Sequence, residues 1–360
     1  MDTLYDFRLT AVNDQGMVAA TTTARTQVVQ DTLIYAVAPD AGPFSRPVVQ
    51  VYDAVTNDWL YDIHVDQFGT NYTGGLRVAV GDVTGDGVPD IVVVPGRNAA
   101  PTVLVFCGAD GSLREDLCIP AHATYGNSFK DGLNVAIGDV TGDGWNDIIL
   151  VPSSGQAVVR VFENTGGGFR FARNFNAFED NKEYIGGGSI AVGNIENAGN
   201  TEPLDVANHA QIVIGTGVGI APVVRIFDVI NVQPAYTAVR EIKSERPEAL
   251  GGVNVALGDL TGDGGNELLL SSKSGGRSWV DIYMLYPEAT ERVSSFQAFR
   301  PEEGNNVAVN ITVHDTEIFV TQGAKGKAGP VVRKFQLDGQ IVDEILIDLA
   351  NELSSGLYIG

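Results

Sequence analysis

An all-β fold of repeated four-stranded units is predicted by three observations. A glycine-led apolar strand recurs as Gly75-Leu-Arg-Val-Ala-Val, Gly132-Leu-Asn-Val-Ala-Ile, Gly188-Ser-Ile-Ala-Val, Gly252-Val-Asn-Val-Ala-Leu and Gly304-Asn-Asn-Val-Ala-Val. An acidic loop or its remnant follows each, starting at Asp82, Asp139, Asn194, Asp259 and Asn310, about 50–65 residues apart. Short apolar strands and Gly-rich turns fill the interval. Four short strands per unit with turns between them is the pattern of a β-propeller blade. Second strands near Leu33, Ile91, Ile148, Ile212, Leu268 and Ile318 predict six blades. A seventh, incomplete blade drawn from residues 4–30 is the alternative.

In chain order, residues 4–23 alternate in a β manner and are set apart as an N-terminal β segment, 1–30, from a propeller over 31–360. The first blade lacks a glycine-led strand of its own. The chain ends in Ser355-Gly-Leu-Tyr-Ile-Gly360, which is such a strand without a blade. The C-terminal strand is therefore expected to complete the first blade and close the ring, removing exposed sheet edges. Second strands are apolar throughout, as in Ile91-Val-Val-Val and Ile148-Ile-Leu-Val. Third strands follow Gly-rich loops, as in Pro101-Thr-Val-Leu-Val-Phe and Pro222-Val-Val-Arg-Ile-Phe. Fourth strands end near aromatics, as in Phe175-Asn-Ala-Phe178 and Phe296-Gln-Ala-Phe299.

Composition bounds the function. The chain of 360 residues is 44% hydrophobic, and no apolar run approaches the roughly 18 residues of a membrane span. A formal net charge of −22 with no basic stripe repels phosphate backbones and argues against nucleic acid. Met1-Asp2 leads directly into a strand-like segment, so the chain is expected to be a piece of a longer protein. Cys107 and Cys118 flank Gly-Ala-Asp-Gly-Ser on adjacent arms of one hairpin; a disulfide and two separately buried thiols both remain open. The four histidines have no ligand spacing, which argues against zinc.

Three loops carry the strongest chemical signal. Asp82-Val-Thr-Gly-Asp-Gly-Val-Pro-Asp90, Asp139-Val-Thr-Gly-Asp-Gly-Trp-Asn-Asp147 and Asp259-Leu-Thr-Gly-Asp-Gly-Gly-Asn-Glu267 place oxygen side chains at positions 1, 3, 5 and 9, with glycine at 6. Ca²⁺ takes about 6–8 oxygen ligands from loops that turn sharply at a glycine. The expected ligands are Asp82, Thr84, Asp86 and Asp90 with the Val88 carbonyl. By the same count they are Asp139, Thr141, Asp143, Asp147 and the Trp145 carbonyl, then Asp259, Thr261, Asp263, Glu267 and the Gly265 carbonyl. An Asp/Gly-rich turn without metal is the plain alternative, since both residues favour turns. The Asn194 unit loses the carboxylates at positions 1 and 5, and the Asn310 unit lacks the glycine and the spacing.

The pattern G-[LV]-x-V-A-[VIL]-G-D-[VL]-T-G-D-G-x-x-[DE]-[IL], followed by a strand ending V-[RQ]-[VI]-[FY], resembles the FG-GAP/VCBS-type repeats of integrin α-chain propellers and bacterial cell-surface proteins. It covers nearly all of residues 31–360, is specific in three units and skeletal elsewhere. The resemblance implies a propeller with about three Ca²⁺ ions in the loops joining first and second strands, used in extracellular or cell-surface adhesion. Six blades, where integrin propellers have seven, put integrin ligand specificity in doubt. Residues 4–23 also resemble the last two strands of a fibronectin type III module.

No nucleophile–base pair stands out, so an enzyme such as a polysaccharide lyase or hydrolase is disfavoured. Loops between second and third strands share one face with the blade-joining loops, opposite the acidic loops. There Arg46, Arg97, Lys273, Arg277, Lys325 and Lys327 stand out, and Phe68, Tyr72, Tyr125, Phe129 and Tyr184 join them from the blade-joining loops. Cations and aromatic platforms suit a glycan or a protein ligand; loop solubility and local packing are the plain alternatives. The expectation is a calcium-stabilised, non-enzymatic recognition module, with a structural spacer assembling with neighbouring copies as the second reading.

Overall fold

The computed structural model describes residues 4–13, 16–25, 33–43, 45–195, 209–230, 238–246, 250–274, 277–286, 289–303, 307–323, 327–347 and 356–360. Lys325, the insertion through Asp205 and the segment opening at Gly304 lie outside the described residues. The chain divides into two compact units, Met1–Thr32 and Leu33–Gly360. In the first, β1 (Leu4–Asn13) and β2 (Gly16–Arg25) form one antiparallel hairpin, in register from Leu4↔Arg25 to Asn13↔Gly16.

The second unit runs through six blades. The first holds β3 (Ile34–Pro39), β4 (Val48–Asp53) and β5 (Trp59–His64), and the second β6 (Leu76–Gly81), β7 (Asp90–Pro95) and β8 (Leu104–Phe106). The third comprises β9 (Leu133–Gly138), β10 (Asp147–Pro152), β11 (Val158–Asn164) and β12 (Phe169–Asn176). The fourth comprises β13 (Gly188–Gly193), β14 (Gln211–Thr216), β15 (Val223–Phe227) and β16 (Arg240–Lys243). In the fifth are β17 (Val253–Gly258), β18 (Glu267–Ser272), β19 (Trp279–Leu285) and β20 (Thr290–Gln297). The sixth has β21 (Val309–His314), β22 (Glu317–Gln322), β23 (Val331–Phe335) and β24 (Ile341–Leu346).

The last strand, β25 (Leu357–Ile359), pairs with β3 and completes the first blade, as the sequence predicts. Each innermost strand touches the innermost strand of the next blade, and β25 sits between β21 and β6, so the ring closes. The architecture is a six-bladed β-propeller. The second blade is the irregular one. Its fourth position is filled by two single bridges, Val103↔Ile119 and Phe106↔Leu113, around a short 3₁₀ turn at Glu115–Leu117. Cys107 and Cys118 flank this turn as free thiols.

Second strands are buried along their whole length in β7, β10, β14 and β18, because each faces a neighbouring blade on both sides. That burial explains their unbroken apolar runs. The leading glycines have a separate cause. Gly75, Gly132, Gly252 and Gly356 take positive φ, between 69° and 81°, and in the fourth blade Gly187 (φ 70°) does so in place of the expected Gly188, which lies inside the strand. A Cβ on Gly132, Gly187 or Gly252 would also collide with backbone of the preceding blade.

The sixth blade corrects the sequence alignment. Gly304 to Val309 was expected to be its inner strand, with the loop starting at Asn310. The ladder instead runs Val309↔Gln322 to His314↔Glu317, so Asn310 lies inside the strand. Ala308 takes the place of the leading glycine: Gly323 N–H donates to its carbonyl, as Lys273 N–H does to that of Gly252. A two-residue turn, Asp315-Thr316 with Asp315 at φ 53°, stands where other blades carry their acidic loop.

Candidate functional site

The three acidic loops join β6 to β7, β9 to β10 and β17 to β18, at one end of the ring. They share one bonding scheme. At position 1, Asp82 Oδ1 accepts from Gly85 N–H at 2.6 Å and Oδ2 from Gly87 N–H at 2.9 Å. Asp139 and Asp259 accept from Gly142 and Gly144, and from Gly262 and Gly264, in the same way. At position 5, Asp86, Asp143 and Asp263 each accept from the N–H two residues on, at Val88, Trp145 and Gly265. The carbonyls expected to ligate therefore belong to residues whose N–H groups brace the turn. Thr84 Oγ1 lies 3.5 Å from Asp82, Thr141 Oγ1 donates to Asp147 at 3.1 Å, and Thr261 is exposed.

Position 9 is different in kind, because it is buried. Asp90 accepts from Val83 and Thr84 N–H and also from Gly108 N–H. Asp147 accepts from Val140, Thr141 and Asn164 N–H, and Glu267 from Leu260 N–H. Burial drives all three carboxyls up, Asp147 to about 6. At Glu267 the nearby Asp263 and Asp259 add to that rise. Among the described residues none of the three pairs with a cationic side chain, whereas buried Asp281 is bonded by Arg246 at 2.9 and 3.0 Å.

These residues fit a hard dication by donor chemistry: carboxylate and hydroxyl oxygens, with lone pairs beyond those given to N–H groups. Among the described residues, however, no three acidic or histidine side chains converge as a preformed metal cluster. Neighbouring loops are tied together. Asn146 Nδ2 donates to the Asp82 carbonyl at 2.8 Å and Asn164 Nδ2 to the Val83 carbonyl at 2.8 Å. A Cβ on Gly85 would run into the Trp145 ring. In the fourth blade the bracketing task falls to an amide: Gln211 Oε1 accepts from Ile195 N–H at 3.0 Å.

The opposite end gathers cations. Arg46, Arg97, Lys273, Arg277 and Lys327 all lie on loops between second and third strands, and all but half-buried Lys273 are exposed. The aromatics of the joining loops do other work. Tyr72 is buried, packs on Phe68 and donates to the Arg97 carbonyl at 2.9 Å. Tyr125 packs on Phe129, lies under the Arg160 guanidinium and donates to the Val158 carbonyl at 2.6 Å. Tyr184 is buried and donates to the Gly187 carbonyl at 2.6 Å. These rings lock joining loops to blades and offer no stacking platform.

Sequence reasoning missed a polar collar around the axis. The second residue of each innermost strand is Arg77, Asn134, Ser189, Asn254, Asn310 and Tyr358. Four of them donate to a backbone carbonyl of the next blade: Asn134 to Gly188 (2.6 Å), Ser189 to Val253 (2.7 Å), Asn254 to Val309 (2.9 Å) and Asn310 to Leu357 (2.6 Å). Arg77 completes the belt by covering the Tyr358 ring at 4.7 Å. Inner strands have a free edge, so carbonyls facing the axis need donors from outside the ladder. The available signal was a lone polar residue in each glycine-led apolar strand. On the acidic-loop side of the collar lies a cavity of about 310 Å³, lined by Val78, Val135, Ile190, Val255, Ile311 and Ile359 among others.

No family model matches the chain, and no curated protein matches it. Solved structures match across most of it at low identity. A functionally unknown protein from Desulfotomaculum acetoxidans DSM 771 is 14% identical, covering 90% of this chain and 98% of its own, with a TM-score of 0.49. Saccharomyces cerevisiae Sqt1 is 12% identical over 95% of this chain and 79% of its own, TM-score 0.46. The rhamnogalacturonan lyase PL11 of Bacillus licheniformis is 12% identical over 96% and 74%, TM-score 0.37. These are likenesses of fold.

Proposed function

We propose that this propeller is a calcium-stabilised, extracellular recognition module of the FG-GAP type, binding a glycan or protein through the end opposite its acidic loops. One observation carries the reading: in a chain of net charge −22, cations gather on the loops between second and third strands. Such a concentration steers and orients an anionic or polar partner. The metal part rests on the buried carboxylates Asp90, Asp147 and Glu267, which have no cationic partner among the described residues. Buried charges are otherwise paired or hold metals. The fibronectin-like N-terminal hairpin fits a multidomain surface protein.

A glycan-array and protein-ligand screen in calcium and in chelator tests this. Binding that falls in Arg97→Ala and Arg277→Ala is expected. Binding indifferent to both substitutions would place recognition elsewhere. Assembly with neighbouring copies is the second reading, favoured by apolar side chains on the outer strands of adjoining blades. Val55 beside β5, Trp59 on β5, and Ile341 and Leu346 on β24 are all more than half exposed. Asn57 Nδ2 donates to Asp343 at 2.9 Å across this seam. Concentration-dependent sedimentation that Trp59→Ser and Leu346→Ser abolish would favour assembly.

A further inference from the structure

Two cations reach the collar itself. Arg77 holds one of the six collar positions, with Nη2 on Asp40 at 2.8 Å and Nη1 on its neighbour's carbonyl, Leu76, at 2.9 Å. Lys273 enters from the fifth blade. Its ammonium lies 3.4 Å from the Gly188 carbonyl, the same oxygen that accepts from Asn134. An ammonium has three donors, and among the described residues it makes one long bond. Among the described residues no carboxylate lies within ion-pair distance of Lys273 or Arg97. Burial first, then Arg77 and Arg97, pull the Lys273 ammonium down to about 8, against Asp40. Among the described residues three cations thus gather at the axial mouth, with Asp40 bonded to one of them. Like charges held together at a desolvated mouth raise the local potential and favour a counter-ion.

We propose that this axial mouth binds the carboxylate of an acidic sugar or other small organic acid, seated on Lys273 and Arg77 with Arg97 beside them. A carboxylate suits the charge count better than phosphate, because Asp40 already occupies one side of Arg77 and repels a dianion. The ligand's body extends toward the loops between second and third strands. The inference deepens the recognition reading by naming its ligand chemistry, and it rests on that reading only for the ligand being a glycan.

The test is titration of the full chain with glucuronate, using glucose as its uncharged counterpart and inorganic sulfate as a second anion, followed by calorimetry and ligand-observed NMR. Glucuronate is expected to bind and glucose not. Lys273→Met should weaken binding about tenfold or more, and Lys273→Arg should retain most of it. Arg170→Gln, an exposed charge change on β12, should leave it unchanged. Circular dichroism verifies the fold of Lys273→Met; if that variant unfolds, Arg97→Gln on an exposed side chain takes its place and should weaken binding severalfold. Equal binding of glucose, binding of sulfate without glucuronate, or glucuronate binding indifferent to Lys273→Met and Arg97→Gln would each overturn the proposal. If glucuronate fails while the array finds ligands that depend on Arg277, the mouth is excluded and the recognition reading stands.

Discussion

Closure of the ring depends on a short strand, and its anchoring carbonyl yields a quantitative prediction. The Leu357 carbonyl accepts from Asn310 Nδ2 at 2.6 Å and from Thr321 Oγ1 at 3.0 Å, and Leu357 is 2% exposed. Removing one donor leaves the oxygen bonded. Thr321→Val should therefore cost the net value of one hydrogen bond, about 1 kcal/mol, and Asn310→Ala about 1–2 kcal/mol, because Asn310 Oδ1 also accepts from Asn254 Nδ2 at 3.1 Å. Removing both leaves a buried acceptor with neither donor, whose desolvation penalty is about 1–3 kcal/mol. The double variant should then lose about 1–3 kcal/mol more than the sum of the two single variants. Urea unfolding of the four proteins of this cycle, followed by tryptophan fluorescence, measures the coupling. A double variant whose loss equals the sum within about 0.5 kcal/mol would refute shared anchoring of β25.

Three further outcomes are expected. Among the described residues the buried His314 Nε2 has no hydrogen-bond partner, and burial, then Lys334, pull the imidazole down to about 4. Its folded value lies below the ordinary 6.5, so the unfolded chain takes up a proton first and stability falls as pH drops from 6.5 toward 4. The loss is on the order of 3 kcal/mol at most and should be absent from the stability curve of His314→Phe; parallel acid titrations of the two proteins would contradict it. Gly85 (φ 75°) abuts Trp145, whereas Gly87 (φ 83°) faces open space. Both alanine variants carry left-handed strain of about 1–3 kcal/mol, and Gly85→Ala should lose more by thermal melting. Trp145, at position 7 of the second loop and touching the first, should change its fluorescence on calcium addition in wild type and not in Asp139→Ala.

Much of the fold is legible in the sequence because each blade repeats local chemistry. Glycines mark a left-handed start that meets the preceding blade, and doubly buried second strands read as unbroken apolar runs. The sixth blade shows where this fails. Asn306-Val-Ala-Val309 imitates the glycine-led strand, and only the long-range ladder Val309↔Gln322 shows that pairing begins later. The cations were legible because they contrast with an acidic chain. The aromatics were misleading, since a tyrosine that packs a joining loop and one that stacks on a ligand look alike until its hydroxyl partner is known. The collar stayed hidden because its bonds run between blades, from Asn134 to Gly188 or Asn310 to Leu357, over separations that no local pattern carries.

The bracketing residue at position 9 separates what the hairpin needs from what it carries. In the fourth blade a neutral amide, Gln211, accepts the same inter-strand N–H bond that Asp90, Asp147 and Glu267 accept elsewhere. That one bond therefore requires an acceptor, and not a charge. Keeping a carboxylate there has a cost: with Asp147 raised from 3.8 to about 6, burying its charge at pH 7 destabilises by roughly 3 kcal/mol. A bound dication offsets that cost, and occupancy at about 100 times Kd adds roughly 2.7 kcal/mol. Asp147→Asn removes the buried charge but sets its Nδ2 against the Asn164 N–H that Asp147 Oδ1 accepts, so it should melt close to wild type in chelator, while losing part of the calcium-induced rise. An unchanged calcium response in Asp147→Asn, or a melting temperature that falls equally in both buffers, would leave the loop a purely structural turn.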